Sequence, residues 1–201
     1  MKLYYSPGTC SLSAHIALRE AEIDFEPVFA STKTHKLKDG TDYYTINPLG
    51  YVPLLELDDG TRLTEGAAIV QYIADLAPEK NLAPANGSLP RYQMQSWLSF
   101  ITSEVHKNFA PLFNPDAAEE VKAASRARIL TNLKWVDDQL AGKQFLLGDQ
   151  FSVADGYLFT VTNWAKFVKL DISHLENIAA LRGRVASRPA VHAALKAEGL
   201  A

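Results

Sequence analysis

The sequence holds one cysteine in 201 residues. An intramolecular disulfide is therefore excluded, and a structural zinc site, which draws on several thiolates or clustered histidines, lacks its ligands. No run of five like charges occurs, and lysine plus arginine (20) fall short of aspartate plus glutamate (23), leaving a net charge of −3. The basic footprint by which a chain tracks nucleic acid or an anionic membrane is missing. No apolar run approaches the roughly 18 residues that cross a bilayer. The opening "MKLYYSPG" reads as a short aromatic strand and not as a secretory leader. There is no internal repeat and no low-complexity segment. What remains is a globular composition, 47% hydrophobic and 21% charged, enough for one large domain or two modest ones. A reducing cytoplasm is the expected compartment.

Residues 1–77 alternate strand and helix signals. "KLYYS" is strand-like, "CSLSAHIALREA" carries apolar and small residues at helical spacing, and "DFEPVFA" reads as a strand whose Pro27 suits an edge. A weak helical stretch follows and ends at "INPLG". "VPLLEL", the turn "DDGT" and "RLTE" predict a hairpin. "EGAAIVQYIADLA" predicts a helix with Ala68, Ile69, Tyr72, Ile73 and Leu76 on one stripe. The segment 78–91, with three prolines, a glycine and two asparagines, is the linker candidate.

Everything beyond the linker reads helical. Leu98, Ile101 and Val105 recur along one helix over about 90–110, and Val121, Ile129, Leu133, Val136 and Leu140 along another. "FSVADGYLFTVTNWAKFV" is apolar nearly all round and predicts a central buried helix, with Ser152 and Asp155 spaced as a capping box. "RP" at 188–189 breaks the next helix and starts a last short one. The expected domains are 1–80, of α/β type, and 87–201, all helical.

Four stretches carry candidate chemistry. In "YYSPGTCSLS", Cys10 falls where a strand gives way to a helix. A free cysteine is more often core filler, but a helix N-terminus contributes about 1–2 kcal/mol toward a thiolate, which lowers a thiol by roughly one pKa unit. In "YVP", Pro53 either opens a strand or follows a cis bond that frees the Val52 backbone for an extended ligand. In "TEGAAI", Glu65 either complements a helix dipole or receives an amino group, with Gly66 N–H as an anion site. Along the helix over 90–110, Ser99, Ser103 and His106 are spaced four and three apart, so they share one face, either solvated or facing an anion or thiol; Lys107 follows Ser103 by four.

These stretches, in this order, resemble the glutathione transferases, most closely the bacterial beta class. "SPGTCSLS", "NPLGYVPLLELDDG", "LTEGAAIVQYIAD" and "FSVADGYLF" match in residue and spacing, and the resemblance spans the whole chain. It implies a thioredoxin-like N-terminal domain, then an all-α bundle, and a homodimer whose glutathione sites draw on both subunits. It implies that Cys10 lies beside the glutathione sulfur, that Val52 precedes a cis proline and pairs with the cysteinyl part, and that Glu65 and Gly66 hold the γ-glutamyl end. Ser99, Ser103, Glu104, Val105, His106 and Lys107 match positions on the helix that lines the cleft or approaches from the neighbour. Position 35 is often a lysine in the class; His35 stands there with Lys36 beside it, so either is the candidate for the glycyl carboxylate. Gly66 and Ser99 are shorter than the residues often found there. Tyr4, Tyr5 and Ser11 are the nearby hydroxyls; Tyr5, mid-strand, reads as packing and Ser11 as a helper of Cys10.

The implied activity is addition of the glutathione thiolate to small electrophiles, often halogenated or aromatic, with Cys10 and His106 as catalytic residues, glutathione as co-substrate and no metal. The alternative is thiol–disulfide exchange or reductive dehalogenation through a mixed disulfide between Cys10 and glutathione. A transferase-like binding module is the non-enzymatic rival.

Overall fold

Aromatic and apolar residues build the first strand, β1 (Lys2–Tyr5), in a computed structural model that describes residues 1–201. β1 lies parallel to β2 (Glu26–Phe29) and antiparallel to β3 (Leu54–Glu56), which pairs with β4 (Arg62–Leu63), giving the order β2-β1-β3-β4. Pro27 therefore sits on an edge strand, where its missing N–H is tolerated. Between β1 and β2 runs α1 (Ser11–Glu20), and α2 (Gly66–Leu76) follows β4. The weak helix expected after β2 is instead two isolated bridges and one 3₁₀ turn, Tyr43–Thr45, capped by the Asp42 carboxylate. Tyr4, Ala30, Tyr43, Val52 and Leu54 form a core beneath this loop.

The stripe expected on α2 is shifted. Ile69, Val70, Ile73 and Ala74 are buried, whereas Leu76 is 45% exposed. The helix is apolar on adjoining positions, so spacing alone did not choose between two neighbouring stripes.

The second stretch of chain begins with α3 (Leu89–Phe100), capped by Ser88 with Pro90 in its first turn, so the helix starts inside the linker candidate. A π-helical turn, Ile101–His106, leads into α4 (Lys107–Phe113). α5 (Glu119–Gln139) follows, then α6 (Val153–Thr162), α7 (Trp164–Phe167) and α8 (Glu176–Ala186). Ile129, Leu133, Val136 and Leu140 are buried as expected, but Val121 is half exposed in the first turn of α5. α6 is buried on every side and stops at Thr162, short of the single helix expected through residue 168.

By contact the chain divides into Met1–Ala83 with Ser187–Ala201, and Pro84–Ala186. The last helix, α9 (Pro189–Ala197), at the end of the expected helical stretch 87–201, packs on α1. Two ion pairs fasten it. Arg188 meets Glu20 through two N–H···O bonds of 2.6 and 2.8 Å, and the buried Glu198 carboxylate meets His15 Nδ1 at 2.9 Å.

The capping box of α6 is built on Asp155. Its carboxylate accepts Leu146 N–H at 2.8 Å, Ser152 N–H at 2.9 Å and the Ser152 hydroxyl at 2.8 Å. Burial pushes this carboxyl up to about 6 while those donors pull it down. Asp155→Ala strands these donors in the interior, each at about 1–3 kcal/mol. Urea unfolding at pH 7 is expected to show a stability loss of about 3 kcal/mol or more, with Asp155→Asn losing less.

Candidate functional site

The turn from Ser6 to Cys10 is held by small side chains. Ser11 Oγ accepts Ser6 N–H at 3.2 Å and lies 2.8 Å from Thr9 Oγ1, whose hydroxyl donates to Ser6 O at 2.9 Å. Ser11 is fully buried, so its hydroxyl is committed to the turn and is not placed as the expected helper of Cys10. Gly8 takes a left-handed φ of +71°, which a side chain rarely adopts, and its N–H donates to Glu198 Oε2 at 2.9 Å. Tyr4 is buried and Tyr5 packs edge-on to His15 and Phe29, consistent with packing roles.

Cys10 occupies the N-cap of α1 and is partly exposed. Its thiol donates to Val52 O at 3.2 Å. The expected lowering of the thiol pKa is corrected here. Burial, the largest cause, together with the Glu65 carboxylate pushes it up to about 12, against the Cys10 and Ser11 N–H groups, which pull it down. A dipole contribution near one unit is outweighed by desolvation of a sulfur anion.

The Val52–Pro53 bond is cis. The loop before it is pinned at Tyr51 O, which accepts the Tyr43 hydroxyl at 2.9 Å and Asn47 Nδ2 at 2.8 Å. Val52 O is thereby turned to the Cys10 sulfur. Pro53 lies against Gly66, where an added Cβ would meet its ring at 3.7 Å. Glu65 caps α2 without a side-chain bond, at φ 67° and ψ 110°, an uncommon conformation for a residue with a side chain. Its carbonyl takes the Ala68 and Ile69 N–H groups, and the first N–H groups of α2 have no acceptor within the helix. Cys10, Val52, Glu65 and Gly66 thus converge: a thiol, the backbone carbonyl it donates to, an exposed carboxylate and a helix N-terminus.

His35 and Lys36 lie on the loop before the 3₁₀ turn. His35 is at φ 51°, stacks on Tyr44 with ring centroids 4.6 Å apart, and has a buried Nδ1 without a partner. Gly50, at φ +68°, makes room, since a Cβ there would come within 2.7 Å of His35 Nδ1 and of Tyr44. Lys36 is exposed.

In the helical unit the expected single face splits. Ser99, Ser103 and Lys107 are exposed, but His106 turns inward, its Nδ1 2.7 Å from the Tyr157 hydroxyl and its ring 4.8 Å from that of Trp164. The π turn changes the residues per turn, so 4+3 spacing no longer places three side chains in line. Val105 is fully buried, so its side chain belongs to the core and not to a binding face. Glu104 is half-buried, and its carbonyl accepts Asn108 Nδ2 and Asn132 Nδ2 at 2.8 and 2.7 Å. Tyr157 and Trp164 were missed as site residues; inside an all-apolar helical run they are indistinguishable from filler. Burial, with the Lys107 charge second, lowers His106 to about 4, so the ring is neutral at pH 7.

A family model for the glutathione S-transferase N-terminal domain matches residues 1–75, and one for the C-terminal domain matches residues 119–197. The chain is 48% identical to glutathione S-transferase GstA of Escherichia coli O157:H7 over 200 residues, covering 100% of both chains. Among solved structures it is similar to a sphingomonad glutathione S-transferase complexed with glutathione, at 50% identity and a TM-score of 0.96, with 100% of both chains covered. It is equally similar in fold to the bacterial beta class enzyme of Sphingomonas chungbukensis, at 48% identity, a TM-score of 0.96 and 100% coverage of both.

Two pH dependences follow from this geometry. With no second thiol in the chain, a thiol reagent reports Cys10 alone; labelling of the ligand-free protein is expected to be slow at pH 7 and to climb steadily beyond pH 9, without a plateau near 8.5. A plateau near neutrality would refute the buried thiol. For His106, the folded-state value of about 4 lies below the ordinary 6.5, so the unfolded chain binds the proton first and stability is lost as pH falls from 6.5 toward 4. Asp155, raised to about 6, acts in the opposite sense over part of that window. The comparison is therefore wild type against His106→Gln, whose urea midpoint is expected to fall less steeply between pH 6.5 and 4.

Proposed function

The chain belongs to the glutathione S-transferase family, and from that premise we propose that it conjugates glutathione to small electrophiles, halogenated and aromatic ones among them. The observation that carries this reading is the convergence of the Cys10 thiol, the Val52 backbone and the N-terminus of α2 with Glu65. An extended tripeptide pairs with the Val52 backbone as an added strand. Its γ-glutamyl end offers a carboxylate to the α2 N–H groups and an ammonium to Glu65. His35 or Lys36 takes the glycyl carboxylate. Ser99, Ser103, Glu104, His106 and Lys107 serve the same ligand in a homodimer, in the cytoplasm.

A thiol held up to about 12 stays protonated at neutral pH, so it is a poor nucleophile and keeps a proton to donate. This favours conjugation over the mixed disulfide. Cys10 S–H leaves the Val52 carbonyl and donates to the glutathione sulfur, stabilising its thiolate. The glutathione proton passes to solvent, the thiolate forms a C–S bond, and on a halogenated carbon the halide leaves with the bonding pair.

The test is steady-state conjugation to a chlorodinitrobenzene, with sedimentation of the same sample. Wild type is expected to conjugate, and to sediment at twice the 22.1 kDa chain mass. Cys10→Ala is expected to retain conjugation within about tenfold, the scale of one hydrogen bond, and to lose disulfide exchange with a glutathionylated substrate. Abolished conjugation in Cys10→Ala would make Cys10 the nucleophile and overturn the assignment.

A further inference from the structure

The π turn at Ile101–His106 aims one ring at one partner, and the chemistry of that pair has a direction. We propose that Tyr157 is a positioning residue for His106: its hydroxyl donates to Nδ1, keeps the ring proton on Nε2, and so presents His106 as a neutral N–H donor to a ligand. The inference rests on the reading that glutathione is the ligand.

The geometry supports each part. The 2.7 Å contact between Tyr157 Oη and His106 Nδ1 is a short hydrogen bond. A phenol is a stronger donor than a neutral imidazole N–H, and an imidazole nitrogen is a better acceptor than a phenol oxygen, so O–H···N is the favoured direction. The neighbouring Thr102 hydroxyl gives its proton to Leu98 O at 2.8 Å, and its contact with Tyr157 at 3.5 Å is too long to compete. Tyr157 is itself immobile: it is 3% exposed on α6, whose first turn is fixed by the Asp155 carboxylate. Trp164 meets the imidazole ring at 71°, limiting its rotation.

Neutrality gives the tautomer its importance. An imidazolium carries a proton on both nitrogens and donates from either, whereas a neutral ring donates from one only. The charged and titratable groups packed about the ring are Lys107 on its own helix and Tyr157 from α6, with no carboxylate among its hydrogen-bond partners to favour the imidazolium. With Nδ1 taken by Tyr157, Nε2 is the nitrogen left for a ligand. Had the proton sat on Nδ1, Nε2 would offer a lone pair to a thiolate, which is repulsive.

The test uses the full-length protein and two readouts. Long-range ¹⁵N–¹H spectra at pH 7 are expected to show His106 as the Nε2–H tautomer in wild type and as a mixture in Tyr157→Phe. In kinetics, Tyr157→Phe is expected to lower kcat/KM for glutathione about three- to tenfold, the worth of one hydrogen bond. In a His106→Phe background the same change is expected to cost less than about twofold, because Tyr157 then has nothing to position. Equal losses in both backgrounds, as a packing or folding defect would give, overturn the proposal, as does an Nδ1–H ring in wild type. If no variant conjugates glutathione, the functional reading fails, and the ring-nitrogen spectra still decide the tautomer.

Discussion

The Glu198 carboxylate is the contact on which the first unit turns. Its side chain has no exposure, and a charge taken out of water is tolerated only where donors surround it. Here they are Gly8 N–H and His15 Nδ1, one from the turn that precedes Cys10 and one from the middle of α1. The C-cap residue of α9 thus ties the cysteine's turn to the helix that the cysteine caps. The turn's other bonds, between Ser6, Thr9 and Ser11, are local.

That tie fixes where the sulfur of Cys10 points, and the cis Val52–Pro53 bond with the pinned Tyr51 carbonyl fixes what it meets. Two effects compete over the thiol. The N-terminal end of α1 favours the anion by an amount near one pKa unit, whereas burial beside the Val52 carbonyl and the Glu65 carboxylate disfavours it more strongly. Burial wins because a sulfur anion there loses its water, and the Glu65 carboxylate adds a smaller repulsion. The thiol is therefore a proton-bearing group at neutral pH, beside the first N–H groups of α1. The uncommon backbone of Glu65 belongs to the same arrangement: about 1–3 kcal/mol of local strain turns the carboxylate outward and leaves the first N–H groups of α2 facing the same way.

Much of this was legible in the sequence where a local rule decides. Pro27 marked an edge strand, "DDGT" a hairpin, and Ser152 with Asp155 a helix start, because each depends on residues close in the chain. What was hidden depends on distant partners. Nothing near Glu198 tells that its carboxylate will be buried against His15, 183 residues away, or that α9 packs on α1. The Cys10 thiol was misjudged for the same reason. The helix dipole is visible locally, but burial of the sulfur depends on the folded surroundings, and the Glu65 carboxylate that adds to it lies more than fifty residues on. On α2 the difficulty was excess of signal, since Val70 and Ala74 are as apolar as Ala68 and Leu76.

The π turn is the clearest case of a feature that spacing conceals and function uses. A continuous α-helix would have set Ser99, Ser103 and His106 in one row. In the wider turn the backbone ladder falls out of step, and side-chain amides from Asn108 and from Asn132 on α5 collect the Glu104 carbonyl at its edge. Val105 and Ile101 stay in the core on either side of the shift. The stretch therefore serves two surfaces within nine residues: Ser99, Ser103 and Lys107 remain outward, and His106 is delivered to Tyr157 and Trp164. A neutral imidazole held against aromatic rings is then a property of the bundle's packing, and not of the polar row that the sequence displays.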